Sequence, residues 1–461
     1  MGFRAFFLSL FITFIAMAFY AHAQSSPPSP TSQELYHSAR VAFGPLGEAR
    51  SSLDWIAQRK KPDMAAHLIA AMRFSSVPRG EVNDALHSIT GEKDINTWFD
   101  WMLWLGEHER KPPHESFLAF KSVVFYTIDK NFKRFFTPDT KFSIRPEEIV
   151  WGGVRVDGIP ALDNPKHISI AQAEKDYILP DDEVFGVEIN GDARAYPIRI
   201  MGWHEMFNDV VGGVPVSLAY CTLCDSGILF EGNYKGREKF GVKEPFTFGS
   251  SGFLYHSNKL MYDRQTDSLW NQYTGQPVSG KLLGSGIELD IRPVVITSWE
   301  KWKKEHPDTK VLSVKTGFNR NYGAGVVYKD YFASERLMFP ALADKTKGLR
   351  EKQYIYAMRL KSGNKAWPLT AFKGGRVLND AIGTQNIVLM GDAKTRTVRA
   401  YERKGHQFDA TLKTKDGIQW TRSEDVLIST KGERLERLSG HLSYWFAWSG
   451  YLGDDAELFV E

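Results

Sequence analysis

Cys221 and Cys224 are the only cysteines in a chain of 461 residues, and two residues separate them. A Cys-x-x-Cys spacing lets both sulfurs reach one point, and three chemistries fit it. The first is a redox pair of the thioredoxin kind, in which a strand turns into a helix whose N-terminus lowers one thiol pKa. Asp225-Ser226-Gly227-Ile228-Leu229-Phe230, which follows, continues poorly as a helix. The second is a structural disulfide; its loop is so short that closing it removes little chain entropy. The third is a metal knuckle between two strands, aiming two thiolates at one ion. One knuckle supplies two ligands, so histidines would have to complete the set.

His204, in Trp203-His204-Glu205-Met206, lies about one hairpin upstream and is the first candidate. His256 follows the glycine-rich run Phe248 to Gly252, His441 sits in Gly440-His441-Leu442-Ser443, and Met261 could add a thioether. Soft Cys, His and Met donors select copper or zinc; an exported set of this kind suits redox copper, with zinc as the alternative. Each histidine fits a hydrogen-bonded core position equally well. Glu205 would be a general base or a solvated strand charge. Asp225 and Tyr255 would line the site. Met261-Tyr262-Asp263-Arg264 through Leu269-Trp270 alternates around a polar turn, where Asp263 and Arg264 cap or pair, or where the Arg264 fork takes a substrate carboxylate. No P-loop, GxSxG, HExxH or dinucleotide-binding pattern occurs.

These residues lie in a β-rich region beginning near residue 146. Val184 to Ile189 precedes Asn190-Gly191, a strong hairpin signal, and Ala193 to Ile200 would return. Val214 to Tyr220, Gly227 to Phe230, Phe246 to Phe248 and Lys259 to Tyr262 read as strands, and Trp299 to Glu305 as a short helix. An internal repeat runs through the region. Arg194-Ala195-Tyr196-Pro197 and Asn208-Asp209 reappear as Lys365-Ala366-Trp367-Pro368 and Asn379-Asp380 at an offset of 171. Trp299 and Trp302 reappear as Trp445 and Trp448 at an offset of 146. Residues common to both copies are best explained by backbone geometry. Residues found in one copy only are better functional candidates: Cys221 and Cys224 correspond to Asp392 and Thr395.

Ahead of this region, residues 33–145 carry a helical pattern. Leu68, Ile69, Met72, Val82, Leu86 and Ile89 recur at helical spacing, and Trp98, Trp101, Trp104 and Leu105 form an aromatic stripe that reads as core. Prolines punctuate the run into four or five short helices, which commonly stack as a small solenoid. The expected class is therefore α+β: an all-α, repeat-like domain, then a mainly-β domain of two related units, residues 146–315 and 350–461, joined by a connecting segment, 316–349. Residues 1–23 have the form of a cleaved signal peptide: one basic residue, an apolar run from Ala5 to Ala21, and Ala21-His22-Ala23 as the exit. The mature chain would begin near Gln24, with a Ser/Pro-rich linker over 24–32, and would be periplasmic or secreted, with no transmembrane span. In such an oxidising compartment, close thiols form a disulfide unless metal holds them.

Composition adds bounds. Forty-three per cent hydrophobic and 25 % charged residues are globular values, and a net charge of +3 gives no basic face for nucleic acid. Aromatics reach 13 %.

Four motifs together resemble a bacterial and archaeal family, Domain of Unknown Function 3179. They are Trp203-His204-Glu205-Met206-x-Asn208-Asp209, Tyr220-Cys221-Thr222-Leu223-Cys224, Phe248-Gly249-x-Ser251-Gly252-x-Leu254-Tyr255, and Met261-Tyr262-Asp263-Arg264-x-Thr266-x-Ser268-Leu269-Trp270. The resemblance covers about residues 145–461 and implies an exported, often membrane-associated protein without assigning an activity. It also implies that His204 and Cys221 form the core pair, with Cys224 auxiliary. The leading expectation is thus an exported metal-binding, redox or metal-handling protein, using His204, Cys221, Cys224, His256 and Met261. The rivals are a binding module that recognises a protein partner through the helical domain, with a merely structural disulfide, and a thiol–disulfide oxidoreductase.

Overall fold

The computed structural model describes residues 30–107 and 112–460. The expected leader, and the 24–32 stretch up to residue 29, lie outside the described residues. The chain divides into two compact units: residues 1–141 with 145–148, and residues 142–144 with 149–461.

The first unit is helical. Among the described residues it has six α-helices: Pro30–Phe43, Leu46–Gln58, Ala65–Ala71, Arg79–Thr90, Trp98–Glu107 and Phe117–Ile128. The predicted apolar stripe faces inward: Leu68, Ile69, Val82, Leu86 and Trp101 are buried. Trp98 and Trp104 are only partly covered. Gly91, at φ +84°, takes the left-handed cap that ends Arg79–Thr90. Pro30–Phe43 packs on Leu46–Gln58 and also on Phe117–Ile128, so the helices close on one another instead of extending as an open row.

The second unit is mainly β and is built twice over. In the first copy, Glu183–Ile189 pairs with Asp192–Pro197 on one side and Val295–Ser298 on the other, and Asp192–Pro197 runs parallel to Lys310–Leu312. In the second, Tyr354–Leu360 pairs with Gly363–Pro368 and His441–Tyr444, and Gly363–Pro368 runs parallel to Glu457–Leu458. Each copy then adds an antiparallel meander: Met206–Val211, Val214–Cys221 and Ser226–Glu231 in the first, Arg376–Ile382, Gln385–Asp392 and Thr397–Glu402 in the second. One apolar core joins them, with Phe185, Tyr196, Phe207 and Leu229 packed in a common cluster with Tyr356, Trp367, Leu389 and Leu442.

The shared residues explain the repeat. Asp209 accepts from Arg194 (2.9 Å) and from the Tyr196 hydroxyl (2.7 Å); Asp380 accepts from Lys365 (3.2 Å) and from Trp367 Nε1 (2.8 Å). Asn208 holds the backbone of Phe248 through both N–H and C=O, and Asn379 does the same to Phe408. Both pairs are geometry-setting devices. Asn190 and Gly191 take φ +51° and +80°, the two left-handed values of a tight hairpin turn.

Two elements differ from expectation. The returning strand stops at Pro197, and Ile198–His204 is a helix. The strand expected over Phe246 to Phe248 is instead Phe248–Tyr255, running through the glycine-rich stretch and buried along its whole length. The glycines serve close packing: a Cβ on Gly249 would lie 2.6 Å from both the Asp157 carboxylate and the Tyr262 ring. Among the described residues, no helix is long and apolar enough to cross a membrane.

Candidate functional site

Strand Val214–Cys221 turns back through Thr222 to Asp225, so that Cys221 faces Ser226 in the ladder. The turn closes with Cys224 N–H on the Cys221 carbonyl at 3.2 Å, and Asp225 adopts φ +46°. The knuckle is therefore strand–turn–strand and not strand–helix. Its two sulfurs lie 2.6 Å apart as free thiols, well inside ordinary non-bonded contact and longer than the covalent bond of about 2.05 Å. Both are enclosed, Cys221 at 2 % and Cys224 at 0 % exposure.

A second hairpin closes over them. Phe248–Tyr255 and Asn258–Asp263 are joined by His256 and Ser257, both left-handed at φ +49° and +61°. The Ser257 carbonyl receives the Cys224 thiol at 3.3 Å and the Cys221 thiol at 3.8 Å. Asn258 Nδ2 donates to Cys224 Sγ at 3.4 Å. Burial pushes the Cys224 thiol well above its ordinary pKa, and the neighbouring Cys221 adds to this; the Asn258 donor works in the opposite direction.

Glu205 and Lys259 bring a buried charge pair to the same knuckle. Glu205 ends helix Ile198–His204 at φ +53°. Its carboxylate accepts from the Thr222 hydroxyl at 2.6 Å and from Lys259 Nζ at 3.1 Å. Glu205 is thus part of the knuckle and not a solvated strand charge. On the far side, Asp225 accepts from the Tyr220 hydroxyl at 2.7 Å and from Arg396 Nη2 at 2.5 Å; Arg396 also reaches Glu183 at 3.0 Å and lies over the Tyr354 ring.

The connecting segment 316–349 forms a roof. Its only helix among the described residues is Lys329–Ala333. Tyr331 donates to the Leu223 carbonyl at 2.8 Å, and the Phe339 and Pro340 carbonyls accept from Ser257 Oγ at 2.9 and 3.0 Å. Tyr328, left-handed at φ +52°, bonds to Thr222 and Glu205. Six of the 13 left-handed non-glycine residues among those described thus surround this site: Glu205, Asp225, His256, Ser257, Tyr328 and Arg396. Such strain persists only where the surroundings over-determine it, and it concentrates at functional sites.

The expected donors are distributed differently. His204 is fully buried, and a carbonyl can only accept, so Nδ1–H donates to the Pro160 oxygen (2.8 Å). Nε2 then accepts from the Tyr322 hydroxyl (2.6 Å), which in turn receives Thr316 Oγ1 (2.7 Å). Both nitrogens are engaged away from the sulfurs, and burial lowers the ring's pKa. His256 turns its Nδ1 to the Gly450 carbonyl at 2.8 Å and stacks on Tyr255. Met261 is buried opposite Trp270 in the sheet. His441 opens strand His441–Tyr444 as a partly buried residue, with its Nε2 enclosed and unpartnered and its pKa lowered by desolvation to about 3. Asp263 caps its turn, accepting from Thr266 N (2.6 Å) and Trp270 Nε1 (2.8 Å), and Arg264 pairs with Asp163 at 2.5 Å.

Among the described residues, three His, Cys, Asp or Glu donors come within 4.8 Å of one another only at Glu305, His306 and Glu424. The set of His204, Cys221, Cys224 and His256 is therefore not assembled around one point. The Glu305 cluster is itself neutralised: Arg399 and Arg437 hold Glu424 at 2.5 Å each, and Arg399 and Arg422 hold Glu305 at 2.8 and 2.6 Å. A cation there would have to displace guanidinium groups.

Sequence reasoning missed Ser257, Asn258, Lys259, Gln272, Tyr328, Tyr331 and Arg396. Only Arg396 carried a signal, being the residue 171 positions after Asp225. No curated protein and no solved structure matches the chain. The family profile described as "Protein of unknown function (DUF3179)" matches residues 156–455, which spans both copies and the whole knuckle. The chain belongs to that family.

Proposed function

We propose that the chain is an exported cysteine-pair protein that exchanges dithiol for disulfide with a disulfide-bearing partner. The observation that supports this best is the meeting of Cys221 and Cys224, 2.6 Å apart, in an enclosure that supplies one sulfur with an N–H donor. In the step, one thiolate attacks a partner sulfur, forming one S–S bond as the partner's breaks. The second cysteine then attacks the first, and the two partner sulfurs leave as one thiolate and one thiol, the latter carrying the proton given up by the second cysteine. Two electrons pass to the partner, and the chain is left with the Cys221–Cys224 disulfide. Because both sulfurs are covered, the roof formed by segment 316–349 must lift for exchange.

The copper or zinc alternative rests on the same two sulfurs. With His204 held by Pro160 and Tyr322, thiolates would be its principal donors. The test is equilibration of the mature protein in glutathione buffers with thiols counted after acid quench, beside elemental analysis of the same preparation. A reversible two-electron couple in the range of about −120 to −270 mV, typical of catalytic pairs, is expected. Stoichiometric copper or zinc that blocks oxidation would replace this reading with the metal one. A disulfide that no buffer reduces in the folded protein would replace it with a structural bridge.

A further inference from the structure

The two cysteines look equivalent in sequence, yet the enclosure treats them differently. Gln272 decides how. Its Nε2 lies 2.6 Å from the Ala219 carbonyl and 2.9 Å from the Ser226 carbonyl, and carbonyls only accept. That end of the amide must be nitrogen, so the other end, Oε1, is an acceptor. Asn258 presents an amide atom to Oε1 at 2.7 Å, and that atom must therefore be Nδ2. The assignment of both amides follows from the hydrogen-bond network. An amide nitrogen has two hydrogens. One goes to Gln272, and the same nitrogen is 3.4 Å from Cys224 Sγ. Asn258 thus holds a fixed N–H donor on one sulfur only. Both sulfurs meet the Ser257 carbonyl, Cys221 at 3.8 Å and Cys224 more closely at 3.3 Å, so that acceptor does not single out Cys224; the Asn258 donor does, working against the burial that raises its thiol.

We propose that Asn258, oriented by Gln272, is the positioning residue that makes Cys224 the attacking sulfur and Cys221 the resolving one. This rests on the exchange reading above and deepens it. The family resemblance implied Cys221, with His204, as the core of the site and Cys224 as auxiliary; this assignment gives Cys224 the leading role instead. A hydrogen bond to a charged acceptor is stronger than one to a neutral acceptor, so the donor favours the thiolate specifically.

The test is a titration of the reduced, full mature protein carrying ¹³Cβ-labelled cysteine, with each resonance assigned by Cys→Ser substitution. Asn258→Ala is expected to raise the pH at which Cys224 takes its charge by about one unit, the effect of one charge-assisted hydrogen bond, and to lower the Cys224 to Cys221 alkylation ratio about tenfold. A Cys224 titration and an alkylation ratio that Asn258→Ala leaves unchanged overturn the proposal. If Asn258→Ala does not fold, the alkylation ratio of the wild-type protein decides: a ratio below one overturns the proposal. The redox titration is read separately: a pair that fails to cycle in glutathione removes the exchange reading and leaves the effect of Asn258 on Cys224 standing.

Discussion

Asp225 and Arg396 occupy equivalent positions in the two copies, 171 residues apart, and bond to each other at 2.5 Å. Both are left-handed, at φ +46° and +54°, and both follow the equivalent turns Cys221 to Cys224 and Asp392 to Thr395. The duplicated turn therefore faces its own relative across the interface. One turn bears the sulfurs and an anion, the other a cation.

That relationship makes a stability prediction. Asp225 is 2 % exposed, and Arg396 is partly buried beside it. Replacing Arg396 strands the Asp225 carboxylate in a low-dielectric interior, at a cost of about 3–5 kcal/mol, whereas replacing Asp225 costs less because Arg396 keeps Glu183. Arg396→Gln should lower unfolding stability by that order in urea titrations, Asp225→Asn by less, and the double variant by clearly less than the sum. Additive losses would mean that the two residues act independently.

The roof over the sulfurs makes a second. Tyr331→Phe removes one hydrogen bond to the Leu223 carbonyl and leaves the ring in place. A net loss of about 1 kcal/mol should raise the population of the opened roof roughly fivefold. The rate at which an aromatic disulfide reagent modifies the reduced protein should rise by that factor, with little change in the midpoint of global unfolding. An unchanged rate would mean that the sulfurs are reached by another route.

Acid should weaken the β unit through His441. Burial holds this ring neutral in the folded state, with its pKa at about 3, against an ordinary value of 6.5. Between those limits the unfolded chain binds a proton that the folded chain refuses. Stability is therefore full above pH 6.5 and falls as pH drops toward 3. The slope from this one group approaches about 1.4 kcal/mol per pH unit. His441→Leu should flatten the acid limb of the stability-against-pH curve by that amount; an identical limb would sink the assignment.

Gly186 gives a packing test. A Cβ there would lie 2.3 Å from the Trp302 ring, which is fully buried. Gly186→Ala should cost about 1–3 kcal/mol by forcing the indole from its place. Thermal melts of the variant check it; a cost near zero would mean that Trp302 has room to shift.

Much of this architecture is legible in the residues, and the limits are physical. The repeat was visible because Asp209 and Asp380 must each meet a cation and an aromatic N–H or O–H, which fixes residue types at fixed spacing. Helix Trp299–Glu305 was visible from its own periodicity. Ile198–His204 was not, because Ile198-Arg199-Ile200 alternates like a strand. Strand Phe248–Tyr255 was hidden because a strand buried on both faces shows no alternation, and here glycines and serines make the close contacts. The knuckle itself was plain, but its surroundings were not. His204 finds its partners 44 and 118 residues away, and no spacing rule says whether an imidazole will meet a sulfur or a carbonyl. Asn258 and Lys259 looked like an ordinary polar hairpin start until the fold laid them on the sulfurs.

The tether between the copies is also the cover of the chemistry. Its length is therefore not a free variable, as it would be in a simple linker: adding or removing residues between Thr316 and Leu349 would shift Tyr328, Tyr331 and Pro340 off their anchors even if both copies folded unchanged. Because that span is anchored on both copies, how far the sulfurs are covered depends on the placement of the two halves together.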